Sequence, residues 1–559
     1  MNEPASTAKK SSRRMISISA TALVLILVIA LAYFVPQLTK PPVPPTQPVK
    51  PKVLVVGTTD YVWGIDPYDI RSYMAHMVSS LVYDTLVEAE WTKEGWKLNP
   101  GLAVRWTPTD SKGAVWEAEL RRDVFFHDGT PFNASCVKFS WERTIAGGKG
   151  ESLELKVQVN RIEVIDNYKV RFTLPNPFAG FPSIMAMSQG TIVSPSAVSK
   201  WGDKYSTQSL AGTGPFKLES WIPGDEIVLV RNDNHWNKAR LPKLNKIIWK
   251  FFKDPSTLKM ALEKKEIDVV HRYLLTSDMP TVQANAGFTV YQGPEAFVRI
   301  LTVNPNPKAR GPAAKYLTNT LVRQAIAYAI DYERIAKLRG GERAYGLYAK
   351  DQTVPSIAVD LLKDFKYDPA KAKQLLTQAG YPNGIPEPFE MLYSPDAYGA
   401  EETDMATIIK SNLEAIGIPV NMRLVDSTLR VTLLNSGNST LSLFSHAIGT
   451  LDPDNSVAQN YFSTGFNTAL RWGFNRTDID RLVIQAKAEL NATKRTEIYQ
   501  KIQMDVDGPS LQRGYVFLYR PWNYVIAWKY VKGNLTPLPI QRYTLDWTQV
   551  DIDPERRIS

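Results

Sequence analysis

The 559-residue chain holds a single cysteine, Cys136. A lone thiol excludes an intramolecular disulfide framework, and it leaves no basis for a Cys-rich metal site or an iron–sulfur cluster. Histidine is nearly as scarce. The five residues His76, His127, His235, His271 and His446 include no pair at the helical ligand spacing H-x-x-x-H, so no metal site is expected. The sequence has no G-x-S-x-G elbow and no G-x-G-x-x-G turn after a strand. Gly147-Gly148-Lys149-Gly150 lacks the upstream Gly and following Ser/Thr of a P-loop. Paired acids such as Asp452 and Asp454, or Glu401 and Glu402, are ordinary in a chain with 56 acidic residues. Nothing reads as a catalytic apparatus, so neither an enzyme nor a cofactor is expected.

A strong charge of one sign is also missing from the bulk of the chain. The formal net charge is +10, but residues 1–50 hold six bases and one acid and so carry half of it. The remaining +5 on a body of some 500 residues gives no basic stripe or patch, and no nucleic-acid partner is expected.

What the N-terminus does have is a long apolar run. Lys9, Lys10, Arg13 and Arg14 precede twenty uncharged residues, Ile16 to Val35. Twenty residues at 1.5 Å rise span about 30 Å, the thickness of a hydrocarbon core. The bases lie on one side, which keeps residues 1–15 cytoplasmic and exports the rest. A retained transmembrane anchor over 16–35 is the favoured reading, with cleavage after Ala32 as the alternative. No cysteine follows the run, so a thioether-linked lipid is excluded there. From Pro36 to Pro51 seven of sixteen residues are proline, a polyproline II stalk of up to about 50 Å. Anchor, stalk and globular body place the protein at the extracytoplasmic face of a cell membrane.

The body reads as mixed α/β. Val53–Val56 is a buried strand, and Trp116, Ala118 and Leu120 alternate with glutamates as in a half-buried one. Hairpins are expected over Ile162–Leu174, turning at Asp166-Asn167, and over Phe216–Val230, turning at Pro223-Gly224-Asp225. In DPAKAKQLLTQAGYPNG, Asp368 is a helix N-cap, Pro369 fits the first turn and Gly380 the left-handed exit. Leu321 to Ile330 and Leu482 to Val506 carry helical apolar stripes. Aromatics in segments that read as loops (Tyr61, Trp63, Tyr73, Tyr393, Tyr398 and Tyr461) suit a cleft packed around an uncharged or peptide-like solute.

The segment PGLAVRWTPTDSKGAVWEAELRRDVFFHDGTPFNASCVKFSWER (Pro100–Arg143) resembles the signature region of oligopeptide/dipeptide/nickel-type solute-binding proteins of ABC importers (family 5). Collinear matches follow at Gly212–Trp236, Ala261–Val270, Val322–Asp331, Asp368–Gly384, Gly449–Asn455 and Asn475–Gln503. The resemblance implies an α/β, two-lobed periplasmic-binding-protein-like (type II) fold with an extra inserted domain, behind the N-terminal transmembrane helix. Transferred by segment, lobe I is 51–86, 212–303 and 512–559, the extra domain 87–211 and lobe II 304–511. Pro100–Arg143 then lies in the extra domain, where a structural role is expected of it.

By the same resemblance, Ser445, His446, Ala447, Ile448 and Gly449 lie along the ligand as an added strand would, with Asp452-Pro453 as landmark. Gly449 stands where peptide-binding relatives place the Asp that holds a terminal ammonium, so Asp452 or Asp454 is the candidate to substitute. Tyr61, Trp63 and Asn304 complete the expected ligand set; Asn304, with Arg299 and Arg471, fits an interlobe tie equally well. The implied protein is a monomeric receptor that delivers an oligopeptide-like solute to ABC transporter permease subunits by hinge closure. An oligosaccharide receptor of the same class is the alternative, and a surface hydrolase or peptide-binding chaperone is the rival from another class.

Overall fold

The computed structural model describes residues 28–29 and 50–555, except 61, 63, 71, 148–151, 209, 273, 275, 311, 348–351, 354–364, 400, 448–449, 466, 468–472, 474, 509–510, 541 and 544. Among the described residues no helix is long and apolar enough to cross a membrane. The expected span 16–35 lies outside them apart from Val28 and Ile29. The stalk lies outside them up to Lys50. Pro51–Ser559 forms one unit.

The body starts with β1 (Val53–Thr58), buried after its first residue as a strand covered on both faces must be. A helix over Tyr73–Val82 follows, with the Ser72 hydroxyl accepting the Ala75 N–H at 3.2 Å as its cap. The inserted portion opens with the hairpin β2 (Val87–Thr92) and β3 (Gly95–Pro100). It continues as a four-stranded antiparallel sheet of β4 (Ala103–Pro108), β5 (Val115–Leu120), β6 (Arg161–Asp166) and β7 (Lys169–Thr173), in the order β4-β5-β7-β6. Trp116, Ala118 and Leu120 are buried while Glu117 and Glu119 lie outward, the expected alternation. The helix Ala134–Gly147 packs on this sheet, placing Trp141 and Phe172 in one apolar cluster with Phe181 and Ile184.

The chain returns to the first sheet with β8 (Phe216–Ile222), β9 (Glu226–Arg231), β10 (Lys246–Phe251), β11 (Val269–His271) and β12 (Phe288–Pro294). The second sheet is built from β13 (Phe297–Val303), β14 (Gly341–Arg343), β15 (Phe389–Tyr393), β16 (Val420–Leu424) and β17 (Leu441–Ala447). Fourteen-residue β18 (Tyr515–Trp528) runs through both sheets. Strand order is β16-β15-β17-β13-β18-β11-β1-β10-β9-β8, with β12 and β14 also paired to β18.

The change of partners along β18 defines the two lobes. Its first half pairs with β13 and β14, and its second half with β12 and β11. The crossing therefore falls at Pro294–Phe297 and Arg520–Trp522. The expected lobe boundaries 303/304 and 511/512 lie near the ends of β13 and β18 that are remote from this crossing, because β13 pairs with the second sheet after the chain crosses and the first half of β18 pairs with it before the chain returns. Two further details differ from expectation. The stripe from Leu482 to Val506 is two helices, Thr477–Ala488 and Ala492–Asp507, because the Asn491 side chain accepts the Lys494 N–H and starts a new one. Tyr73 opens a helix, Tyr393 ends β15, and Tyr461 is fully buried with its hydroxyl donated to Asp507. All three are core positions and not loop aromatics.

Candidate functional site

The crossing gathers five buried charged side chains at one level. Arg272, Glu295, Arg299, Glu402 and Arg520 are all at most 5% exposed, and buried ions persist only when they are paired. Arg272 sits directly after β11 with φ of 65°, a left-handed conformation unusual for a side-chain-bearing residue. Its guanidinium lies 3.8 Å from the Tyr73 ring and donates to both Glu295 oxygens at 3.1 and 3.2 Å, with Asp60 at 3.4 Å. Glu295 is the connection between β12 and β13. Its N–H donates to the Pro521 carbonyl at 2.8 Å, and its carbonyl accepts Arg520 Nε at 2.8 Å. Both crossing connections are thus cross-bonded at one level.

On the second-lobe side Arg299 of β13 donates to Glu402 at 2.6 Å and to the Ser445 hydroxyl at 2.7 Å. Glu402 in turn accepts the Ser394 N–H at 3.1 Å. Arg299 is therefore an internal tie from β13 to β17 and to the helix Glu401–Glu414. Ser445, His446 and Ala447 close β17, opposite Arg299, Val298 and Phe297 of β13. Ser445 is half-buried, His446 is buried with Nε2 3.2 Å from the Ser456 hydroxyl, and Ala447 is exposed. The β15–β17 ladder covers Leu441 and Ser442, while the β13–β17 ladder continues to Ala447. Ile448, Gly449, Tyr61 and Trp63 lie outside the described residues.

Of the expected ligand residues, Asn304 and Asp452 are bonded within the protein and Asp454 is buried. Asn304 donates its amide to the Gly437 and Ser439 carbonyls at 3.1 and 2.8 Å and accepts the Asn306 N–H at 3.0 Å; it pins the turn before β17. Asp452 places both oxygens on Arg495. Asp454 is 1% exposed and neither of its oxygens accepts a hydrogen bond among the described residues; Lys487 Nζ is 3.6 Å away. Burial pushes the Asp454 carboxyl above the usual range, opposed by that lysine. Neither aspartate presents an open carboxylate in the position Gly449 leaves without one.

Two residues of the signature segment are bonded within the body. Arg143 donates twice to the buried Asp66, at 2.7 and 2.6 Å, and Asp128 accepts the Ser194 hydroxyl at 2.6 Å. A hollow of about 1140 Å³ lies beside β14, lined by Tyr332, Arg343, Tyr345, Phe365, Tyr367 and Trp522. No local sequence signal marked it or the Arg272–Glu295 pair, because their parts are far apart in the chain.

With this geometry in place, residues 97–468 match the model of bacterial extracellular solute-binding proteins, family 5 (middle region). The chain belongs to that family. It is a solute-binding protein of an ABC importer. It is 28% identical over 470 residues to the glutathione-binding protein GsiB of Escherichia coli K12, covering 81% of this chain and 86% of the relative. It superposes on the periplasmic binding protein DppA of Helicobacter pylori, solved with the peptide STSA, with a TM-score of 0.68 and 24% identity over 89% of this chain and 98% of that one. NikA of Brucella suis, solved with Fe(III)-EDTA, gives 0.75 and 22% over 90% and 100%. These superpositions establish the two-lobed α/β fold.

Proposed function

We propose that the body is a monomeric receptor for an oligopeptide-like solute, which it delivers unaltered to a permease by closing its lobes around the crossing. The observation that carries this reading is the second sheet's meeting with the crossing. There β17 ends at exposed Ala447, one strand away from the cross-bonded connection at Glu295. A peptide main chain laid along Ser445 to Gly449 would extend the sheet, with affinity from backbone hydrogen bonds and selectivity from alternate side chains. The peptide ligands named for GsiB and DppA support the solute class. Among the described residues the lobes are joined at the Pro294–Phe297 connection and through β18, and two such crossings favour rotation about them. The apolar run 16–35 would hold the body at the extracytoplasmic face, where tethering raises its effective concentration near the permease.

Because Asp452 and Asp454 are sealed and Gly449 has no side chain, a free terminal ammonium is not part of the recognition. The test is calorimetric titration of the full-length protein with reduced glutathione, tri- to pentapeptides, their N-acetylated forms and neutral oligosaccharides, followed by mass spectrometry of the solute. One-to-one binding of peptides, equal for free and blocked amines, is expected. Binding of glycans alone would assign the oligosaccharide reading, and a chemically altered solute would overturn the receptor reading.

A further inference from the structure

Away from the proposed solute position, the second lobe meets the inserted domain along a seam of direct contacts. Leu451, just before the Asp452-Pro453 turn, is fully buried and belongs to the apolar cluster of Phe178, Phe181 and Ile184 in the insert. Beside it the Ala179 N–H donates to the Lys487 carbonyl at 2.7 Å. The Lys487 ammonium reaches Gln158 at 3.3 Å and lies 4.9 Å from the Phe178 ring.

Gly180 is the tightest point of the seam. A Cβ there would stand 2.7 Å from Asp452 Cγ and 2.6 Å from Phe178 Cε2. The Phe178 ring edge can swing, but Asp452 cannot, because Arg495 grips both its oxygens. The constraint is purely steric: Gly180 has φ of −79° and ψ of 3°, which any residue adopts.

We propose that Leu451, the Ala179–Lys487 hydrogen bond and Gly180 form a solute-independent clasp that sets the resting balance between closed and open receptor, with Gly180 as the residue that decides how closely the lobes meet. The proposal rests on the hinge-closing reading above. A ligand shifts such a balance only by its differential affinity for the two states, so a receptor already held partly closed binds more tightly than one that must close first. Weakening the clasp therefore lowers apparent affinity without changing any residue of the proposed solute segment Ser445–Gly449.

The test is a distance measurement by double electron–electron resonance on the full-length protein, with nitroxides on K93C in the insert and E497C in the second lobe. A C136S background leaves only those two thiols. Without solute, the parent is expected to show a short-distance population. G180A should diminish it and G180V abolish it, in that order, with affinity for reduced glutathione or the tetrapeptide Ser-Thr-Ser-Ala falling about tenfold for G180V. L451S, the more invasive variant, is accepted only if its melting temperature stays near that of the parent; the glycine series stands without it. A parent with no short-distance population before solute is added overturns the clasp. So do G180A and G180V distributions identical to the parent's. If solute still shortens the distance in those cases, hinge closure survives and the clasp alone fails. If the distance is single and unchanged with solute in every variant, the hinge reading itself fails.

Discussion

Arg495 holds Asp452 through two parallel hydrogen bonds, Nη1 to Oδ2 at 2.5 Å and Nη2 to Oδ1 at 2.8 Å, in a site where the two residues are 3% and 2% exposed. The same Nη2 also donates to the Tyr499 hydroxyl at 2.8 Å, and Nε donates to the Ala486 carbonyl. The pair thereby ties the D-P turn to the helices Thr477–Ala488 and Ala492–Asp507. Replacing one member leaves the other charged, buried and unpaired. R495M is expected to cost about 3–5 kcal/mol, measured as unfolding free energy in urea. R495K keeps the charge but loses the planar fork and should fall between R495M and the parent. A loss below about 1 kcal/mol, the value of an exposed pair, would contradict this role.

Asp454 makes stability depend on pH in the opposite sense to a paired carboxylate. Burial raises its folded-state pKa; Asp452 adds to the rise, and Lys487 and Arg495 oppose it. The stability it contributes is full below the unfolded-state value near 3.8 and declines as pH rises through the folded-state value. D454N carries no charge to desolvate. Its melting temperature should match the parent's well below pH 4 and exceed it increasingly as pH rises, up to a plateau. A D454N protein that melts lower than the parent at neutral pH would show that the Lys487 attraction outweighs burial.

His127 joins the insert to the first lobe, with ring Nε2 2.9 Å from the Gly214 carbonyl and its backbone N–H donating to the Gly212 carbonyl. Burial, together with Lys217, holds its pKa down at about 4 against an ordinary 6.5. A depressed histidine is neutral in the fold and charged in the unfolded chain. Its contribution is present above pH 6.5 and is lost as pH falls toward about 4. Melting temperature should therefore decline across that window in the parent and less steeply in H127Q, with the proton uptake on unfolding reduced by close to one. Equal slopes for the two proteins would refute the assignment.

Local chemistry was readable wherever a short stretch of chain decides the outcome. Asp368, Pro369 and Gly380 bound a helix as their cap, first-turn and exit chemistry requires, with Gly380 at φ of 94°. The hairpin turns at Asp166-Asn167 and Pro223–Asp225 fall where their residue types place them. Pairing across long separations was not readable. Arg272 meets Glu295 because β11 and β12 both pair with β18, and Arg299 of β13 meets Glu402 at the start of a helix a hundred residues on; no spacing in the sequence encodes either pairing. Asn304 stands in the expected ligand set, yet its amide is consumed by the turn it stabilises. Polar residue type advertised a ligand contact; hydrogen-bond capacity decided otherwise.

Ala447 gives the sharpest test of where the solute lies. It closes β17 opposite Phe297, is exposed, and lies within the segment Ser445–Gly449 proposed to run along the peptide. A bulky side chain there meets solvent in the empty receptor but a neighbour in the loaded one. A447Y should thus leave the melting temperature nearly unchanged, within the ±0.5 kcal/mol usual for exposed sites. It should weaken peptide binding at least about tenfold, or roughly 1.4 kcal/mol, by calorimetry. I222E, in the distant β8–β9 hairpin where Ile222 is 51% exposed, serves as the control and should leave affinity unaltered. Equal affinities for A447Y and the parent would move the solute off the end of β17. A large loss in both variants would mean that the measured binding reports surface charge or general instability, since the two positions share only their exposure.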